Sequence, residues 1–72
     1  MTGKQLKEIR LKYNLTQTDF GNLLGYADGS AKVRISELEN GKIRITATIE
    51  RLALYIEEYG PMKHALSLLW IE

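Results

Sequence analysis

Apolar residues recur at helical spacing in short segments along the chain, and no segment of useful length alternates between apolar and polar residues. Helical spacing places apolar side chains on one face of a helix, whereas a half-buried strand would show strict alternation. A threonine, serine or proline suited to a helix N-terminus precedes each segment. The sequence therefore predicts an all-α fold of five short helices.

Capping residues predict where these helices begin and end. A Thr or Ser oxygen accepts a hydrogen bond from a backbone N–H at the N-terminus, and Asn or Gly adopts the left-handed backbone that ends a helix. The predicted first turn is a capping box of Thr2 and Gln5. The remaining predicted boundaries are Asn14 for the first helix, Thr16 and Gly25 for the second, Ser30 and Asn40-Gly41 for the third, Thr46 or Thr48 for the fourth, and Pro61 to about Ile71 for the fifth. The residues Gly25 to Gly29, GYADG, predict an extended turn between the second and third helices.

The chain has 72 residues, 44% of them hydrophobic, and it has no cysteine. It is expected to form one small domain over residues 1–72, held together by packing rather than by disulfides or a thiolate zinc site. No apolar run approaches the roughly 20 residues needed to cross a bilayer, and the N-terminal residues lack the apolar segment of a secretion signal. A cytoplasmic location is expected.

Charge is distributed unevenly along the chain although the formal net charge is only +1. Residues 1–44 contain eight Lys/Arg and five Asp/Glu, a net charge of +3, whereas residues 45–72 have a net charge of −2. In the third helix Ala31, Ile35 and Leu38 form the apolar stripe, which leaves Lys32-Val33-Arg34 on another face. An apolar side chain between two cations favours a contact surface over plain solvated surface. The cations lie near the predicted helix N-terminus, where they would favour an approaching phosphate, and Lys42 and Arg44 follow.

Catalytic constellations are not evident in the sequence. His64 is the only histidine and has no evident metal partner or nucleophile beside it, and Glu57-Glu58 are adjacent rather than facing. We expect no enzymatic activity, no cofactor and no metal site.

The chain contains an ordered set of motifs, namely Arg10, Leu15-Thr16-Gln17, Phe20, Leu23-Leu24-Gly25, Ile35 and Leu38-Glu39-Asn40-Gly41-Lys42. Together they resemble the helix-turn-helix domain of phage repressors, Cro proteins and the xenobiotic-response-element family of bacterial regulators. The resemblance covers approximately residues 4–59. It implies a lambda-repressor-like fold in a prokaryotic or phage-encoded regulator.

The resemblance implies that the third helix enters the major groove of duplex DNA and that the second helix lies against the phosphate backbone. Arginine, lysine and glutamate can hydrogen-bond to base edges, and valine can contact a thymine methyl group. The expected base-reading residues are Lys32, Val33, Arg34, Ser36 and Glu37, and the expected phosphate-contacting or positioning residues are Thr16, Gln17, Ser30, Asn40, Lys42 and Arg44. The resemblance further implies a structural ion pair between Arg10 and Glu39.

The second half of the chain has more apolar residues than one small domain needs for its core. They could all pack inward, but a self-complementary dimer surface is favoured, supplied by residues 46–72. Tyr55, Leu66, Leu69 and Trp70 are its expected residues. The predicted function is a small dimeric repressor that occupies a palindromic operator in double-stranded DNA. The alternative is an antitoxin or protein-interaction module that binds a partner protein through the apolar second half.

Overall fold

A computed structural model describes residues 1–61 as four α-helices with no strand among them. They are α1 (Gly3–Lys12), α2 (Gln17–Leu23), α3 (Asp28–Glu39) and α4 (Ala47–Tyr59). The predicted all-α class is confirmed, and four helices are described where the sequence predicts five. Apart from Pro61, the predicted fifth helix lies outside the described residues, as do Leu66, Leu69 and Trp70 of the predicted dimer surface.

Side-chain caps begin three of the four helices, with Thr2 and Thr16 as predicted and Thr46 as one of the two predicted candidates. Thr2 and Gln5 form both hydrogen bonds of the capping box. The Thr16 hydroxyl accepts from the Asp19 backbone N–H at 3.0 Å, and Thr46 accepts from that of Ile49 at 3.3 Å. Each cap gives a partner to a backbone donor that the helix itself cannot pair.

The α3 helix begins earlier than the sequence predicts. The predicted cap, Ser30, is the third residue of α3, and its hydroxyl donates to the Ala27 carbonyl at 3.4 Å. The N-cap is Ala27, in extended conformation and with no side-chain cap bond. Asp28 then lies in the first turn, where the helix dipole favours a carboxylate. The prediction of Ser30 as the cap was therefore wrong.

The prediction of an extended turn between α2 and α3 was also wrong. Because Asp28 and Gly29 are helical, only residues 24–27 connect the two helices. A connection of this length is ordinary for a helix-turn-helix motif. The Tyr26 backbone N–H donates to the Gly21 carbonyl at 2.9 Å and holds the turn against α2.

All four helices contribute to the core. The described residues place no polar or charged residue among the fully buried set. The buried apolar residues are Leu6, Ile9, Phe20, Leu23, Leu24, Ala31, Ile35, Leu38, Ile49, Ala53 and Ile56.

The α2 and α3 helices approach each other closely at Gly21. A Cβ atom built on Gly21 would lie 2.5 Å from the Ala31 Cβ and 2.8 Å from the Ala31 Cα. Real Cβ atoms do not approach neighbours so closely, so this crossing requires glycine on α2 and a small residue on α3. The pair fixes how α3 is mounted on α2.

A buried ion pair joins α1 to the C-terminal end of α3. The Arg10 Nε donates to the Glu39 Oε2 at 2.7 Å, and a second guanidinium nitrogen donates to Oε1 at 3.2 Å. The side chains are only 12% and 4% exposed. Arg10 also donates to the Leu15 carbonyl at 3.1 Å, so one guanidinium connects α1, the following loop and α3.

The α4 helix lies beside α1, where the Tyr13 hydroxyl donates to the Glu57 carbonyl at 2.6 Å. Among the described helices, none combines the length and the apolar character that crossing a membrane would require.

Candidate nucleic-acid interface

The outer face of α3 is rigidly supported from behind. Ala31 and Ile35 are fully buried, so the helix cannot rotate without exposing its core face. The residues between them, Lys32, Val33 and Arg34, are all exposed, and Val33 is 55% exposed. The anchored stripe therefore turns one apolar and two cationic side chains outward.

This face borders an open surface groove of about 750 Å³. The groove brings together side chains from α3, from the first residue of α2 and from the loop that follows α3. Its lining residues are Gln17, Lys32, Val33, Ser36, Glu37, Asn40 and Lys42, all of which the sequence nominated for base reading or phosphate contact.

The other nominated residues do not line this groove. Arg34 is exposed and lies next to it through its contact with Glu37. Thr16 and Arg44 are exposed, Thr16 as the cap of α2 and Arg44 in the loop before α4. Ser30 is half-buried inside the first turns of α3.

The main contact on this face that was not predicted from the sequence is an ion pair between Arg34 and Glu37. The Arg34 Nη1 donates to the Glu37 Oε1 at 2.8 Å. Residues three apart are neighbours on a helix surface, so the i, i+3 spacing of opposite charges was the available signal.

Two further polar contacts hold the margins of the groove. The Gln17 amide donates to the Glu39 Oε1 at 3.4 Å, which ties the start of α2 to the buried ion pair. The Asn40 amide donates to the Ser36 hydroxyl at 3.3 Å. Both Gln17 and Asn40 are thus oriented before any ligand binds.

The position of Lys42 depends on how α3 ends. Gly41 has φ 78°, the left-handed conformation predicted for this residue. The Lys42 backbone N–H donates to the Glu37 carbonyl at 2.9 Å, and the Gly41 N–H donates to the Leu38 carbonyl at 3.3 Å. This paired ending satisfies free carbonyls of α3 and turns the chain so that Lys42 lies at the groove.

The earlier start of α3 changes one electrostatic expectation. Lys32 and Arg34 are the fifth and seventh residues of α3, not residues of its first turn. The helix dipole acts mainly within the first turn. The expectation that these two cations lie at the positive end of the helix was therefore wrong, and their attraction for phosphate comes from their own charge.

The described residues contain no group of three or more His, Cys, Asp or Glu placed to hold a metal ion. His64 lies outside them. Within residues 1–61 the groove offers lysine and amide donors, one carboxylate and an exposed valine. Those are groups that recognise phosphates and base edges.

A family model described as helix-turn-helix matches residues 6–61, most of the chain. No curated protein and no solved structure matches the chain significantly. The matched range contains α2, the short turn and α3, together with every lining residue of the groove. The chain belongs to the Cro/C1-type helix-turn-helix family of DNA-binding transcription regulators.

Proposed function

We propose that this regulator is a repressor that binds a palindromic operator in double-stranded DNA as a homodimer. The observation that carries the proposal is the anchored outer face of α3, where Lys32, Val33 and Arg34 are exposed beside the groove. A helix held in this way can enter a major groove without changing its own packing.

Base reading is assigned to the outward side chains of α3. Arg34 or Lys32 can donate to the O6 and N7 atoms of guanine, and the exposed Val33 can contact a thymine methyl group. Glu37 is the acceptor on this face, suited to the N4 amino group of cytosine, and Ser36 lies at its margin.

Phosphate contact is assigned to residues around the rim of this face. Such contacts fix the register of the protein on the duplex without reading sequence. Lys42 and Arg44 supply charge, and Gln17 and Asn40 supply amide donors. Thr16 and Ser30 are the hydroxyl-bearing candidates.

A dimer is proposed because a palindromic site needs two copies of α3 related by a two-fold axis. Tyr55 is half-buried on α4, and its ring lies 4.8 Å from the ring of the exposed Tyr59. This aromatic pair supports α4 as part of the dimer surface. Leu66, Leu69 and Trp70 are proposed to complete it.

Selection of bound fragments from random duplex DNA tests the proposal directly. We expect an enriched inverted repeat, and we expect binding to weaken steeply as salt is added, because each neutralised phosphate releases counterions. Failure to enrich any sequence, with retention on duplex DNA no higher than that of an unrelated neutral protein, would reject the proposal.

The alternative function is a protein-interaction module or antitoxin. It is favoured by two exposed large apolar side chains on α4, Leu54 at 45% and Tyr59 at 59% exposure. An interaction module has no need of the cationic face of α3. Salt-sensitive retention on DNA therefore distinguishes the two functions, although an antitoxin that also represses would show both properties.

A further inference from the structure

The one carboxylate among the lining residues of the groove belongs to Glu37. This side chain is 26% exposed, and it accepts a hydrogen bond from Arg34, whose side chain is 48% exposed. A carboxylate on a surface that must approach a polyanion opposes binding to any phosphate backbone. Its position therefore needs a reason beyond affinity.

The ion pair with Arg34 adds little stability of its own, because exposed pairs at this helical spacing gain only a few tenths of a kcal/mol. Its effect on the geometry of Arg34 is more important. The Glu37 carboxylate engages one N–H of the guanidinium, and a guanidinium has five. The others are free, within the described residues, to form a bidentate contact while Glu37 fixes the direction of the side chain.

The Arg34 Nη1 and the Glu37 Oε1 are 2.8 Å apart. That distance is close to the spacing of roughly 3.4 Å between stacked bases on one strand. One donor and one acceptor side chain can therefore reach neighbouring base pairs together.

We propose that Glu37 is a positioning and specificity-determining residue that selects against non-cognate DNA. It aims Arg34 at a guanine and rejects neighbouring bases that present only acceptors to it. The operator half-site then contains a guanine next to a base with an exposed amino group in the major groove, cytosine or adenine. This inference rests on the proposed function, because it concerns the same face of α3.

The charges of the groove give the inference its physical basis. Lys32 and Lys42 attract any duplex, whereas Glu37 offsets part of that attraction and occupies Arg34. At a cognate site the amino group of the base donates a hydrogen bond to the Glu37 carboxylate in place of the water that binding removes. At other sites the carboxylate faces base acceptors and loses hydration with only the Arg34 hydrogen bond to compensate for it, and this penalty disfavours non-cognate DNA.

The test measures affinity for a selected operator duplex and for a scrambled duplex by fluorescence anisotropy, over a range of salt concentrations. The variants are Glu37→Gln, which removes the charge and keeps the shape, and Glu37→Asp, which keeps the charge. The matched control is Glu58→Gln, which makes the same charge change at an exposed position on α4.

For Glu37→Gln we expect affinity for the scrambled duplex to rise several-fold, and the operator-to-scrambled ratio to fall about tenfold, the scale of one base contact. For Glu37→Asp the ratio of operator affinity to scrambled-duplex affinity should stay close to that of the parent chain. Glu58→Gln should change both affinities by the same factor. Repeating the selection with Glu37→Gln should lose the preference for an amino-bearing base next to the guanine.

An unchanged ratio in Glu37→Gln, with cooperative thermal unfolding retained, would overturn the inference and leave DNA binding by the parent chain intact. An equal loss of affinity for both duplexes would also overturn it, because that result indicates a general structural role. Failure of the parent chain to prefer any duplex would instead reject the proposed function.

Discussion

At the residue scale, one largely buried ion pair helps to orient α3. Glu39 at the end of α3 receives two hydrogen bonds from Arg10 on α1 and one from Gln17 on α2. Both charged groups are largely removed from water, so each needs the other. The pair connects the scaffold of the domain to the groove, because Gln17 belongs to both.

Replacing Glu39 by Gln should lower the free energy of unfolding by about 3 kcal/mol, because it leaves the buried Arg10 guanidinium without its counter-charge. Urea denaturation measures the change. Glu8→Gln, at an exposed position on α1, is the control and should change stability by less than about 0.5 kcal/mol. The double change Arg10→Met with Glu39→Met should recover much of the loss. A Glu39→Gln protein as stable as the control would contradict this account.

Arg34→Ala and Lys42→Ala should affect DNA binding in different ways. Removing Arg34 should relax discrimination at one base position, with a loss of about 1–3 kcal/mol on the preferred duplex. Removing Lys42 should weaken binding to all sequences. It should also reduce, by about one unit, the slope of the logarithm of the binding constant against the logarithm of the salt concentration. Parallel titrations on selected and scrambled duplexes measure both effects, and identical profiles would show that base readers and phosphate contacts have been assigned wrongly.

At the element scale, α2 and α3 can pack closely because Gly21 has only a hydrogen atom where other residues have a side chain. Gly21→Ala would place its Cβ 2.5 Å from that of Ala31, so one helix must shift. We expect a loss of about 1–3 kcal/mol in stability, which exceeds the gain in helix propensity. Thermal or urea denaturation measures it, and DNA affinity should fall with it because α3 moves.

Gly29→Ala is a matched control for this change. Gly29 is also helical, and a Cβ atom there has no neighbour within 4 Å. This variant should gain about 0.5–1 kcal/mol, because alanine loses less backbone entropy in a helix than glycine. If both variants lost the same stability, the close approach at Gly21 would not be the cause.

Helix ends that depend on local chemistry could be predicted from the sequence. Thr16, Thr46 and Asn14 each act within one turn of their own position. The sequence predicts Thr16 and Asn14 directly, and Thr46 as one of two candidates with Thr48. The predicted start of α3 was wrong by three residues, because Asp28 and Ser30 are both acceptable near a helix N-terminus. Ala27, which has no capping side chain, became the boundary once Asp28 occupied the first turn.

The candidate site shows the same division between local and long-range information. The exposed face of α3 follows from helical periodicity, and the roles predicted for its residues follow from the resemblance to helix-turn-helix regulators. The Gln17 contact with Glu39 spans 22 positions, and sequence spacing contains no signal for it. The Arg34 pairing with Glu37 is local, and the i, i+3 spacing of opposite charges is a signal for it in the sequence.

At the scale of the whole molecule, the proposed dimer would determine how the regulator engages the proposed operator. When two copies of α3 belong to one dimer, binding of the first raises the effective concentration of the second at its half-site. The dimer therefore gains affinity, provided that the two half-sites have the matching spacing. We therefore expect sedimentation equilibrium to give a dimer at concentrations near those that saturate a two-half-site duplex.

Leu69→Asp should weaken that dimer and abolish cooperative binding to the inverted repeat, while affinity for an isolated half-site changes little. Leu54→Asp is the control, since Leu54 lies on the flank of α4 that borders α1 and not among the proposed dimer residues. Sedimentation and half-site titrations measure both. A Leu54→Asp protein that dissociates while Leu69→Asp remains dimeric would move the interface to the opposite flank of α4.

The separation of α3 into a buried stripe and an outward face also bears on how such a regulator can acquire a new target. Ala31, the Gly21 packed against it and the fully buried Ile35 leave little room for a larger side chain, whereas Lys32 and Val33 lie outside the core. A lineage can therefore exchange its outward side chains while the domain keeps folding. Changes in operator preference then need few mutational steps, and libraries randomised only on that face should yield folded proteins with new specificities.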